Sequence, residues 1–269
     1  MKIFIAGISK TGTTGLMYLI RNSMKDSPLE IFEPKVCPPD ALATDNDVLA
    51  KALISPLLDS DSFSTFDKKI TIIRDPRDRL VSVLLYSQFH APYSREKKKV
   101  AKVMDVLRHK ESDPASVSIQ EIMNRMVVAN EDPEVTLDVF QKRLTAPVIW
   151  VTKYLKKMTG TLIYKYEDFV TEQYQSLEQY LGFPLTGEAV VPDNLKRVSR
   201  TNRSGNWRSW FTEEDVRVYK PIFSDWLKAY GYDPDDWELD TKPSIEQEHC
   251  SGYFAKLIRE ASGSRRRFL

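Results

Sequence analysis

The first twenty residues constrain the fold more than any other stretch. Residues 2–7, Lys2-Ile3-Phe4-Ile5-Ala6-Gly7, form a short apolar run that stops at a glycine, the pattern of a strand buried on both faces of a parallel sheet. Beyond Gly12 the apolar residues Leu16, Leu19 and Ile20, closed by Ser23, predict an amphipathic helix starting near Thr13. This strand–loop–helix order recurs. Over 69–88, Ile70-Thr71-Ile72-Ile73 is strand-like, Asp75 caps, Pro76 takes the first helical position and the helix continues over 80–86. A third copy runs from a strand at 161–166 through Glu167-Asp168 into one helix that ends near Leu181 at Gly182. Alternating strands and helices predict an α/β fold, a central parallel sheet flanked by helices, with binding loops at the carboxyl ends of the strands.

Lysines and arginines (39) nearly balance aspartates and glutamates (38), a formal charge of +1. That excludes the broad cationic footprint of a general nucleic-acid binder, so any anion must be held locally. Residues 95–145 are charge-rich and helical in pattern, and no repeat or glycine-rich linker divides the sequence, which predicts one domain over 1–269. The tail 260–269, with Arg265-Arg266-Arg267, reads as solvated and open to disorder. Cys37 and Cys250 have no partner at metal-ligand spacing, which favours a reducing compartment over a disulfide framework. No run approaches the ~18 apolar residues of a bilayer span, and Ser9 and Lys10 interrupt the apolar start too soon for a secretory signal. The expectation is a cytoplasmic protein with no membrane partner.

Residues 7–14, Gly7-Ile8-Ser9-Lys10-Thr11-Gly12-Thr13-Thr14, have the glycine spacing of a P-loop. Thr13, however, stands where nucleotide kinases and ATPases keep their lysine, and the lysine lies inside the loop at Lys10. Backbone N–H groups, the positive end of the following helix and the Thr13 and Thr14 hydroxyls suit a phosphate; a tight turn with incidental glycines is the alternative. A small-molecule kinase needs Mg2+ held by a carboxylate after a neighbouring strand, whereas the strand ending at Ile73 is followed by Arg74 before Asp75. Arg74 can fork onto a phosphate, with Ser82 donating a hydroxyl one turn beyond Asp78. Arg77 and Arg79 are expected to lace the helix surface with Asp75 and Asp78. A third basic stretch, residues 196–208, reads as an anion-gripping loop or, taken alone, as a solvated one.

In this order, the loop Ser9-Lys10-Thr11-Gly12-Thr13-Thr14, the pair Arg74 and Ser82 around Asp75-Pro76, Tyr166-Glu167-Asp168-Phe169, and Arg200 ahead of Gly205-Asn206-Trp207-Arg208 resemble the sulfotransferases that use 3′-phosphoadenosine 5′-phosphosulfate (PAPS). The resemblance covers most of the chain and implies a P-loop NTPase-like sulfotransferase architecture with no metal. Residues 9–14 would hold the 5′-phosphosulfate, with Lys10 on the bridging oxygen. Arg74, Ser82, Arg200, Thr201, Asn202, Arg203 and Gly205 would hold the 3′-phosphate, and Tyr166 would lie near the adenine. The sulfuryl group would pass to a hydroxyl, or to an amine or carbamoyl nitrogen, of a small-molecule acceptor such as a specialised metabolite, leaving adenosine 3′,5′-bisphosphate (PAP). Residues 89–145 would then be a helical insertion on the acceptor side.

The match has gaps. Many cytosolic members carry a histidine base two residues after a lysine; here that lysine is Lys51 and Leu53 takes the base position. Carbohydrate-type and some bacterial members resemble this chain in a Glu-Pro after the second strand, matched by Glu33-Pro34, which makes Glu33 the candidate base, held extended by the proline; an ordinary exposed carboxylate is the alternative. Lys51 either assists the sulfuryl group or is a surface lysine. His90, among aromatic residues, is the reserve base. Asn202 replaces an expected glycine and Gly15 an expected tryptophan. A nucleotide-binding module without activity is the other reading that the missing histidine keeps in play.

Overall fold

A computed structural model describes residues 1–198 and 200–264. The strands are β1 (Lys2–Gly7), β2 (Leu29–Phe32), β3 (Val48–Leu53), β4 (Lys68–Ile73) and β5 (Leu162–Lys165). The helices are α1 (Thr13–Ser23), α2 (Pro39–Ala43), α3 (Pro76–Tyr86), α4 (Lys97–Ser112), α5 (Ile119–Asn130), α6 (Leu137–Thr145), α7 (Pro147–Lys157), α8 (Tyr166–Val170), α9 (Gln175–Leu181), α10 (Trp207–Trp210), α11 (Glu213–Ala229) and α12 (Ser251–Ser264). They form two compact units, Met1–Asp75 with Pro147–Val198, and Pro76–Ala146 with the described residues from Arg200 onward.

The first unit holds the sheet. All pairings are parallel, in the order β2-β3-β1-β4-β5, so the predicted α/β class is the one observed. β1 lies in the centre, which is why Ile3, Phe4, Ile5 and Ala6 are fully buried. Leu16, Leu19 and Ile20 of α1 pack on Ile3, Ile5, Leu49 and Ile72, the face that the sequence periodicity marks. The chain leaves β1 toward β2 at one edge and leaves β4 toward β5 at the other. Neighbouring strands with diverging connections open a crevice at their carboxyl ends, and the loops after β1 and β4 stand there.

One element departs from the expected pattern in this unit. The helix predicted from Glu167 to Leu181 is two helices, α8 and α9, broken where Glu172 adopts φ +57. The break lets the Gln173 N–H return to the Asp168 carbonyl (2.8 Å) while the Gln173 carbonyl accepts the Tyr164 hydroxyl (3.2 Å). β5 is thereby tied to the segment that follows it. Gly182, at φ +87, ends α9 as expected.

The second unit is helical, with a core of Leu80, Leu84, Ile122, Met126, Trp207 and Phe254 among others. Here α3 overturns an expectation. Arg77 and Arg79 are 3% exposed and Asp78 is fully buried, so they do not lace a surface. The Arg77 guanidinium lies 4.1 Å from the Trp207 ring centroid and 5.0 Å from that of Trp237, and donates to the Asp236 carbonyl. Arg79 donates to the Leu144 carbonyl (2.8 Å). A helix buried this completely has no outer face for exposed ion pairs.

Cys37 and Cys250 are both buried free thiols. Among the described residues no helix is long and apolar enough to cross a membrane. The expectation for the tail falls partly on α12, and beyond Ser264 it lies outside the described residues.

Candidate functional site

Gly7 ends β1 where a Cβ would lie 2.6 Å from Thr11 Oγ1 and 2.8 Å from the Ile72 carbonyl, so β1 and β4 approach as closely as they do only with glycine there. The loop then turns through Lys10 at φ +72 and Gly12 at φ +91. A Cβ on Gly12 would meet Tyr166 Cδ2 at 2.5 Å. The Thr11 hydroxyl donates to the Ile8 carbonyl (2.8 Å) and closes the turn. Gly12 is the N-cap of α1 and has no side chain to cap it, and no acidic residue occupies the first turn. This combination of a tight glycine loop and a helix N-terminus is suited to an anion. Thr13 and Thr14 are buried at 4% and 7% exposure, and the Lys10 ammonium donates to the Val198 carbonyl.

Arg74 leaves β4 beside this loop, 5% exposed. Its Nη1 donates to the Lys10 carbonyl (3.2 Å), and its guanidinium carbon stands 4.1 Å from the centroid of the Tyr166 ring. The adjacent Asp75 N–H donates to Glu167 Oε1 (3.0 Å). Phe169 accounts for the missing tryptophan: a Cβ on Gly15 would sit 3.1 Å from two Phe169 ring carbons, so this ring occupies the space beside α1 that a larger residue at position 15 needs.

Glu33 follows β2 at the same carboxyl edge of the sheet. Two strand spacings of roughly 4.8 Å separate β2 from β1. The extended conformation expected before proline is not adopted: Glu33 has φ +54. Because the proline disfavours the right-handed helical region, the left-handed turn is what bends the chain off β2 while the Glu33 N–H still reaches the Lys51 carbonyl (2.7 Å). Lys51 is no surface residue, being 1% exposed. Its ammonium contacts Glu33 Oε1 and lies 4.4 Å from the Phe32 ring centroid. Burial lowers the Lys51 pKa, against which the Glu33 hydrogen bond and charge act to raise it. The Glu33 side chain remains 40% exposed, so the pair joins a sealed cation to a carboxylate that solvent reaches.

The first unit thus brings together Ser9, Lys10, Thr11, Gly12, Thr13, Thr14, Arg74 and Tyr166, with Glu33 at the same sheet edge. Ser82, His90 and residues 200–205 belong to the second unit. Within it, Ser82 is buried at 2% exposure and His90 is exposed, its ring 4.9 Å from that of Phe89. The residue that sequence reasoning missed there is Asp78, whose carboxylate accepts the N–H groups of Gly205 (2.5 Å) and Trp207 (2.9 Å). It fixes the end of the basic segment; the apolar residues that follow it in α3, Leu80, Val81, Val83, Leu84 and Leu85, were the available signal that this helix is buried. Asn202 adopts φ +51, which explains the lost glycine, since asparagine tolerates the left-handed region better than most residues. Arg203 is held bidentately by Glu246 (3.2 Å to each oxygen), Arg208 pairs with Asp236, and Arg200 donates to the His249 carbonyl (3.2 Å). Three arginines of the expected anion loop therefore have protein acceptors.

No family model matches the chain, and no curated protein matches it in sequence. Among solved structures, the chain is similar to mouse sulfotransferase SULT7A1 complexed with PAP, at 16% sequence identity and a TM-score of 0.48, with 84% of each chain covered.

Proposed function

We propose that the chain transfers the sulfuryl group of PAPS to a hydroxyl, amine or carbamoyl nitrogen of a small-molecule acceptor in the cytoplasm. The observation that carries this reading is Arg74. Where a Mg2+-dependent phosphotransferase places a carboxylate at the end of the strand beside its phosphate loop, this chain places a buried guanidinium tied to the loop carbonyl of Lys10. The loop suits a phosphate group because it turns through Lys10 and Gly12 at positive φ into an α1 N-terminus that has no side-chain cap and no acidic residue in its first turn.

In the proposed reaction the acceptor oxygen or nitrogen bonds to sulfur as the sulfur–oxygen bond to the 5′-phosphate breaks. Glu33 takes the acceptor's proton, and the electron pair passes to the phosphate oxygen, where the Lys10 ammonium and the N–H groups opening α1 stabilise it. Lys51 holds the Glu33 carboxylate in place for that transfer. Arg74, Ser82, Arg200, Thr201, Asn202, Arg203 and Gly205 keep the role that the resemblance implies, as donors to the 3′-phosphate, and His90 stands as the reserve base.

Calorimetric titration with PAP in the absence of Mg2+ should show binding, and Lys10→Ala should lower sulfuryl transfer by about a hundredfold. Mg2+-dependent ATP turnover with indifference to PAP would overturn the reading in favour of a kinase. PAP binding with no transfer to any acceptor would leave a nucleotide-binding module.

A further inference from the structure

Register Ile73↔Lys165 is the last rung of the β4–β5 ladder, and beyond it the two chains remain side by side. Arg74 faces Tyr166, guanidinium over ring at 4.1 Å, and Asp75 donates its N–H to Glu167 at 3.0 Å. Two consecutive residues after β4 are thus held by two consecutive residues after β5. Tyr166 is also wedged against the phosphate loop, since only the absence of a Cβ on Gly12 admits its ring. It is 6% exposed and its ring centroid lies 6.2 Å from that of Phe169. A ring covered by Gly12, Arg74 and Phe169 has its area committed to protein.

We infer that Tyr166, backed by Glu167, is a positioning residue that sets the Arg74 guanidinium beside the phosphate loop, and that it does not read the adenine. This rests on the nucleotide reading above and gives Tyr166 a different role from the one the resemblance implies. A guanidinium resting on an aromatic face keeps its in-plane N–H groups directed outward, the orientation a phosphate requires. The ring would therefore act on discrimination for the 3′-phosphate and leave base affinity unchanged.

The test compares affinities for PAP and for adenosine 5′-phosphate, which lacks only the 3′-phosphate, by calorimetry on the full chain. The wild-type protein is expected to prefer PAP. Tyr166→Leu should reduce that preference by about fivefold or more, through a larger loss of affinity for PAP than for adenosine 5′-phosphate, and Tyr166→Phe should retain the preference. Equal weakening of both ligands by Tyr166→Leu, or an unchanged ratio, would overturn the inference while leaving the nucleotide reading intact. A wild-type protein with no preference for PAP would overturn both. Tyr166→Met, closer to tyrosine in length, provides the same comparison if the leucine variant does not fold.

Discussion

Lys51 in the first unit and Lys110 in the second are both sealed from water, 1% and 0% exposed, and burial lowers the pKa of both. Their partners differ in kind. Lys110, in α4, donates to the backbone carbonyls of Pro114 (2.5 Å) and Val117 (2.6 Å), and the nearby Asp215 charge partly offsets its desolvation. Asp215 is itself fully buried, accepting from Ile119 N–H (2.9 Å) and Thr212 N–H (2.9 Å), so this cluster ties the starts of α5 and α11 together. Lys51 ends on a carboxylate that is 40% exposed at the carboxyl edge of the sheet. A buried cation facing inward fixes architecture, whereas one facing an accessible carboxylate fixes the position of that carboxylate.

The largest effect should come from the inward-facing lysine. Lys110→Met removes the donor from two carbonyls and is expected to lower unfolding free energy by about 3 kcal/mol, leaving PAP affinity unchanged; chemical denaturation and calorimetry check both. The pH dependence sharpens this further. With a folded pKa of about 8 against an unfolded value of 10.5, the unfolded chain binds more protons between those limits. Stability from Lys110 therefore rises with pH across that window, by up to roughly 3 kcal/mol. The wild-type minus Lys110→Met difference, in which other titrating groups cancel, should grow from about pH 8 to 10.5; a flat difference would mean that Lys110 titrates normally.

Glu33→Gln should reverse the pattern. It keeps an acceptor for Lys51, so stability should move by less than about 1 kcal/mol, while transfer of labelled sulfuryl group should fall about a hundredfold. An unchanged rate would pass the base role to His90 and dissolve the contrast between the two lysines. The smallest effect is expected from Phe32→Leu, which removes the ring 4.4 Å from the Lys51 ammonium and should lower stability by about 0.5–1 kcal/mol in equilibrium denaturation.

What the sequence disclosed and what it withheld follow from distance along the chain. Residues 2–23 carry their own strand, glycine turn and helix, so local pattern sufficed, and the same holds for β4 with α3. The pairing of Glu33 with Lys51 depends on the register Phe32↔Lys51 between β2 and β3, which no local pattern states. Asp78 serves N–H groups 127 and 129 positions away, and its sequence neighbours Arg77 and Arg79 suggested surface pairing instead. Tyr166 was legible as part of a motif, but the face it presents to Arg74 arises only when β5 lies beside β4.

Among the described residues β2 is an edge strand, bonded to β3, whereas the glycine loop 7–14 grows from the central strand. If Glu33 is the base, the group that selects the proton is carried on a part of the sheet that can be exchanged without disturbing the nucleotide loop. Lineages or designers could graft a different second strand and its following turn, altering which nucleophile is activated, while the centre of the sheet is inherited intact.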